Sequence, residues 1–176
     1  MKKKVATVWL GGCSGCHMSL LDMDERLLDI AKLADIVKSP IVDAKEFPDC
    51  DIALIEGAVA SEEHLEDIKN IRKRAKILVS MGDCAVTGNV TALRNFFPVK
   101  EVEKLAYVDE PSNVDGKIPD TGKEVSRLLP RVRPLHEVVK IDFFIPGCPP
   151  SADLIYHCLN ELLNDRVPVI DKPKFG

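Results

Sequence analysis

A chain of 176 residues, 45% hydrophobic and 30% charged, has the length of one domain and enough apolar material to bury a sizeable core. Its formal net charge of −4 excludes the basic footprint of a nucleic-acid-binding protein. No stretch approaches the ~18–20 apolar residues of a membrane span, so no integral membrane segment is expected.

Taken in chain order, the first feature is a basic flank, Lys2–Lys4, followed by the apolar run Val5–Leu10 and Gly11-Gly12-Cys13. This loosely imitates a bacterial lipoprotein signal. The run is shorter than the ~7–15 residues of a signal core, however, and it alternates like a buried strand that cleavage would remove. A cytoplasmic protein is expected, and Val5–Leu10 reads as strand one. Met18 to about Leu33 reads as a helix with an apolar face of Leu20, Leu21, Leu27, Leu28, Ile30 and Leu33. Ile36–Val42 is a weak second strand, placed at an edge by Pro40. Ile52–Ile55 is a compact third strand.

Ser61 reads as a helix N-cap, with Glu62 and Glu63 in the first turn and cations from Lys69 to Arg74 in the last. Lys76–Met81 is a fourth strand, followed by Gly82 and a loop, and Val90–Phe97 a helix ending at Pro98. Ile141–Ile145 is a fifth strand, and Ser151 caps a final helix running to about Asn164. The alternation predicts an α/β fold, a doubly wound, flavodoxin-like parallel sheet forming a single domain over residues 1–176. Residues 98–140 break the rhythm as an irregular insertion with five of the twelve prolines and one short helix near Thr121–Leu129. Insertions of that length are usually functional or partner-bound.

Six cysteines in a reduced, cytoplasmic protein argue for metal or redox chemistry over a disulfide framework. Ligands of open α/β sheets bind beyond the carboxyl ends of the strands. Cys13 and Cys16 follow the first strand, Cys84 the fourth and Cys148 the fifth, each in a loop rich in glycine or proline. Four thiols therefore converge on one sheet edge. A [4Fe–4S] cluster needs four thiolates, one per iron, and its negative charge favours the backbone N–H groups that such turns present. Cys50 precedes the third strand at the opposite end, and Cys158 lies on the apolar face of the last helix; both read as small hydrophobes.

Structural zinc is an alternative for the four cysteines, although it commonly uses paired short spacings, and here 67 residues separate Cys16 from Cys84 and 63 separate Cys84 from Cys148. A thioredoxin-type dithiol at Cys13/Cys16 would leave Cys84 and Cys148 unexplained. Gly11–Gly15 matches neither dinucleotide nor P-loop fingerprints, and no residue demands a flavin here.

The segments W-L-G-G-C-S-G-C-H-M-S-L-L-D from Trp9 to Asp22, I-E-G-A-V at 55–59, M-G-D-C-A-V-T-G-N at 81–89 and I-P-G-C-P-P at 145–150 resemble a known family. They are similar to the small subunit of cytoplasmic [NiFe] hydrogenases, related to the 20 kDa subunit of respiratory complex I, with the nearest resemblance to bidirectional, NAD-reducing enzymes. The resemblance implies one proximal [4Fe–4S] cluster on Cys13, Cys16, Cys84 and Cys148. It also implies a Ni–Fe centre on a large subunit, and flavin and NAD on partner subunits, a ferredoxin-like Fe–S subunit and a flavoprotein forming a diaphorase module. The composite reaction would be H2 + NAD+ ⇌ NADH + H+.

The complex I subunit carries adjacent cysteines at its first ligand position, so the C-x-x-C here favours hydrogenase over a complex I-type quinone- or formate-linked subunit. A zinc-stabilised interaction module is the alternative from a different class. Many membrane-bound relatives place a glutamate two residues beyond the C-x-x-C; here that residue is Met18, so a role for that acid does not carry over. Glu56, ending the third strand on the thiol edge, has two readings: a carboxylate ordering loop amides, or a proton relay. His17 could donate to a cluster sulfur or face a partner, and Asp83 is expected to order the loop around Cys84.

Overall fold

Alternation of faces along short apolar runs builds the centre of the molecule. The computed structural model describes residues 2–120 and 125–176. Its strands are β1 (Lys3–Trp9), β2 (Ala34–Lys38), β3 (Cys50–Glu56), β4 (Val59–Ser61), β5 (Ala75–Met81), β6 (Leu128–Arg133) and β7 (Phe143–Ile145). Five form a parallel sheet in the order β2-β1-β3-β5-β7, while β4 and β6 pair as a small antiparallel ribbon. Without that ribbon, the strand order is the flavodoxin-like 2-1-3-4-5, which reverses direction between β1 and β3. The second strand is at the edge as expected, but it spans Ala34–Lys38 rather than Ile36–Val42 and ends before Pro40.

The helices are α1 (Gly15–Leu21), α2 (Arg26–Leu33), α3 (Glu62–Arg74), α4 (Asp83–Thr87), α5 (Val99–Lys104) and α6 (Ala152–Leu163). Successive strand residues serve opposite cores. Val5, Ile52, Leu54 and Val79 pack with Leu20, Ile30 and Ile155 from α1, α2 and α6. Ala6, Ala53, Ile55 and Leu78 pack with Ile68 and Ile71 of α3 on the other face. On α6, Ile155, Cys158, Leu159 and Leu162 recur at helical spacing and are all buried. Ser61 and Ser151 cap α3 and α6 as expected, their hydroxyls accepting the His64 and Leu154 N–H groups at 3.3 Å.

The sequence reading needs correcting in five further places. The helix expected over Met18–Leu33 is two helices, broken at residues 22–25, where Asp24 adopts a left-handed φ of 49° and Met23 turns into the core. A short polar side chain tolerates that conformation better than most. The loop after Gly82 contains α4, and the helix expected over Val90–Phe97 is a 3-10 run, Asn89–Phe96. The 98–140 insertion is partly regular: α5 continues into a π turn at Leu105–Asp109, and β6 closes the ribbon with β4. Of the short helix expected at Thr121–Leu129, residues 121–124 lie outside the described residues, and Leu128 and Leu129 belong to β6.

Candidate metal centre

The carboxyl ends of β1, β3, β5 and β7 lie side by side: Trp9 pairs with Glu56, Glu56 with Met81, and Met81 with Ile145. Each predicted cysteine follows within a few residues of that line. Cys13 stands in the turn before α1, Cys16 within α1, Cys84 within α4, and Cys148 in the turn after β7. Cys16 and Cys84 are buried, whereas Cys13 and Cys148 are exposed, and all four are free thiols.

Hydrogen bonds beyond the sheet tie these turns together. The Leu10 N–H donates to the Glu56 carbonyl at 2.8 Å, and Gly11 and Ala58 exchange both backbone bonds. Ser19 Oγ on α1 donates to the Pro150 carbonyl at 2.5 Å, joining the first cysteine segment to the last. Thr91 Oγ1 donates to the Gly11 carbonyl at 3.2 Å, fastening the 3-10 run to the same turn. Sequence reasoning missed Ser19 and Thr91, because no local pattern tells which distant carbonyl a hydroxyl will reach.

The thiols share one electrostatic environment. Burial pushes the Cys16 thiol strongly up, and Glu56, Cys84, Cys13 and Cys148 each push it further. Cys148 is also raised, by burial first, then by Cys84, Asp83 and Cys13, with the Asn89 side chain opposing through a hydrogen bond. Four mutually repelling thiolates need positive charge among them, and metal ions supply it. A single zinc would need sulfurs about 3.8 Å apart, from Zn–S bonds of about 2.3 Å. Among the described residues, no three His, Cys, Asp or Glu side chains are grouped to hold one metal ion. A donor set of four sulfurs suits the iron–sulfur chemistry that soft thiolate ligands select.

Cys50 and Cys158 stand apart. Cys50 opens β3 opposite Ala75 at the far end of the sheet, and Cys158 is enclosed in the α6 core. Burial is the main cause that pushes both thiols up to about 11, the inert state of a core cysteine.

Glu56 is 2% exposed, and its Oε2 accepts the His17 backbone N–H at 2.9 Å and lies 2.5 Å from the His17 ring Nδ1. The simpler reading expected loop amides around this carboxylate; the amide it accepts from lies in the first turn of α1, and an imidazole is added to it. The His17 ring packs edge-on to Trp9, with centroids 5.6 Å apart, and its buried Nε2 has no hydrogen-bond partner among the described residues. Trp9, Met18, Val90, Leu93 and Phe144 remain exposed on the elements around the cysteines.

Known proteins resemble this chain over most of its length. The family model described as "NADH ubiquinone oxidoreductase, 20 Kd subunit" matches residues 13–162, beginning at Cys13. The delta subunit of the NAD-reducing hydrogenase HoxS of Cupriavidus necator is 44% identical over 168 residues, covering 94% of this chain and 80% of that protein. A subunit of the F420-non-reducing hydrogenase of Methanothermobacter marburgensis is 42% identical over 167 residues; the match covers 92% of this chain but only 54% of that protein. A chain from the crystal structure of an NAD+-reducing [NiFe]-hydrogenase in the H2-reduced state superposes with a TM-score of 0.94 at 39% identity, covering 100% of this chain and 99% of that one. No helix among the described residues is long and apolar enough to cross a membrane. The chain belongs to the NADH ubiquinone oxidoreductase 20 Kd subunit family, and within it to the small subunits of NAD-reducing [NiFe] hydrogenases.

Proposed function

We propose that this chain holds one [4Fe–4S] cluster through Cys13, Cys16, Cys84 and Cys148. In that role it relays electrons between the Ni–Fe site of a large subunit and an NAD-reducing diaphorase module, in the reaction H2 + NAD+ ⇌ NADH + H+. The observation that carries the reading is the gathering of four free thiols, from three segments far apart in sequence, beyond one sheet edge. When bound, the cluster would take up and release single electrons. The chain's part is to supply four thiolates, hold their turns rigid through the Ser19, Thr91 and Leu10 bonds, and offer an apolar rim that a large subunit can cover. An apolar rim keeps water from the electron path once it is covered.

Glu56 takes the second role, proton exchange near the subunit boundary. In support of it, its carboxylate is buried, contacts an imidazole nitrogen, and sits at the strand end beside the cysteine turns.

Cysteine replacement in the assembled complex, with iron and sulfide counted per chain, tests the cluster assignment. Cys84→Ala or Cys148→Ala should abolish or degrade the cluster, because one iron loses its thiolate. Cys50→Ala and Cys158→Ala should retain iron near the parent level. Equal iron loss from Cys50→Ala would overturn the assignment, and a colourless protein containing zinc would replace it with the structural-metal alternative.

A further inference from the structure

Two of the four cysteines arrive singly, Cys84 after β5 and Cys148 after β7, with 63 residues of chain between them. The β5–β7 ladder ends at Met81 and Ile145, before either cysteine. Past that end, the Gly82 N–H donates to the Ile145 carbonyl at 2.8 Å and the Asp83 N–H to the Gly147 carbonyl at 2.9 Å. The Asp83 side chain then reaches the same residue from the other side: its Oδ1 accepts the Gly147 N–H at 2.7 Å. Its Oδ2 accepts the Gly176 N–H at 2.6 Å. Asp83 is 3% exposed, and both its oxygens serve as acceptors, as a carboxylate's do. Asp83 and Gly147 are therefore bonded twice, and each stands one residue before a cysteine. Gly147, at φ 139°, holds a backbone conformation that other residues rarely adopt, so its N–H keeps that aim only while something fixes it.

We propose that Asp83 is a positioning residue whose carboxylate braces the Cys148 turn against the Cys84 turn and whose charge holds down the reduction potential of the cluster on those cysteines. This rests on the cluster reading above. The brace follows from the two hydrogen bonds to Gly147: the Gly82–Ile145 backbone bond joins the strand ends, and the Asp83–Gly147 pair carries that link to the residues next to the two cysteines. The charge effect follows from sign. An electron added to the cluster meets a fixed negative charge in a buried setting, where like charges disfavour each other most. A like charge at close range commonly shifts an ionisation equilibrium about tenfold or more, and a tenfold shift in a one-electron equilibrium is about 59 mV.

The test uses the assembled complex, with parent, Asp83→Asn and Asp83→Ala prepared together and iron and sulfide counted first. A parent lacking both would end the cluster reading itself; with a loaded parent, every later comparison bears on Asp83 alone. Asparagine keeps an acceptor for the Gly147 N–H, so Asp83→Asn should load iron like the parent. Its midpoint in an EPR-monitored redox titration should rise by about 59 mV, a tenfold shift toward the reduced form. Asp83→Ala should lose most of its iron; if it is too unstable to assemble, the asparagine variant carries the test. A loaded Asp83→Asn at the parent's midpoint overturns the charge effect. Iron loss from Asp83→Asn, or full loading of Asp83→Ala, overturns the brace.

Discussion

Gly82→Ala should strip the proposed cluster although it removes none of the proposed ligands. Gly82 has φ 83° and ψ 157°, a region essentially reserved for glycine. An alanine Cβ there would sit 2.1 Å from Cys16 Sγ, the far end of a short and buried side chain. Comfortable contact between such atoms begins near 3.5 Å, so the thiol or the Gly82 turn must retreat by roughly 1.4 Å. A functional constellation tolerates displacement of only about 0.5 Å, so the movement exceeds what one iron ligand can absorb. The backbone strain adds about 1–3 kcal/mol. In a domain of this size that is a fall in Tm of roughly 2–12 °C.

Gly116→Ala separates these two effects. Its φ is also positive, 54°, but the nearest atom its Cβ would meet is the Val108 carbonyl oxygen at 3.9 Å. That variant should lose a few degrees of Tm through strain alone and keep its iron. Iron and sulfide per chain, the visible absorbance of the cluster and thermal unfolding, measured on both variants and the parent, make the comparison. Gly82→Ala with full iron content and an unchanged spectrum, differing from the parent only in Tm, would refute the placement of Cys16 as a ligand pressed against this turn.

Glu56→Gln keeps an oxygen acceptor for the His17 N–H and should retain its iron; if Glu56 relays protons, H2/D+ exchange in the complex should slow by something like 10²–10⁴, while electron transfer from reduced nucleotide is little changed. Normal exchange in a fully loaded variant would leave Glu56 as a loop-ordering residue only. Asp142 should make stability pH-dependent: burial opposes its charge, but the hydrogen bonds from Arg72 and the Leu78 N–H and the Arg72 charge hold its carboxyl below the usual range. A depressed carboxylate stabilises fully above the unfolded-state value near 3.9 and loses that contribution as pH falls through the folded value. Asp142→Asn, discounted for solvent screening, should therefore cost about 0.5–1 kcal/mol at pH 7, and the gap to the parent should close in acid, as read by denaturant unfolding across pH.

Much of this protein was legible from local pattern. The parallel sheet followed from apolar runs alternating with helical periodicity, and the edge position of the second strand was expected from a proline that lies two residues past its end. Ser61 and Ser151 announced their helices, since capping is a contact between residues three apart. The four candidate ligands followed from a topological rule, that strands of one parallel sheet open their ends to one side, combined with the position of each cysteine after a strand.

What escaped depends on partners distant in the chain. The break at Asp24 is set by Met23 finding a place in the core, which helical periodicity cannot register. Strand β6 forms only because β4, some seventy residues earlier, offers an unpaired edge. The bonds from Ser19 to Pro150, from His17 to Glu56 and from Asp83 to Gly147 span 131, 39 and 64 residues. A sequence states which side chains can donate and accept; which of them meet is decided by the packing that brings the strand ends together, because hydrogen bonds act over about 3 Å and carry no signature in local order.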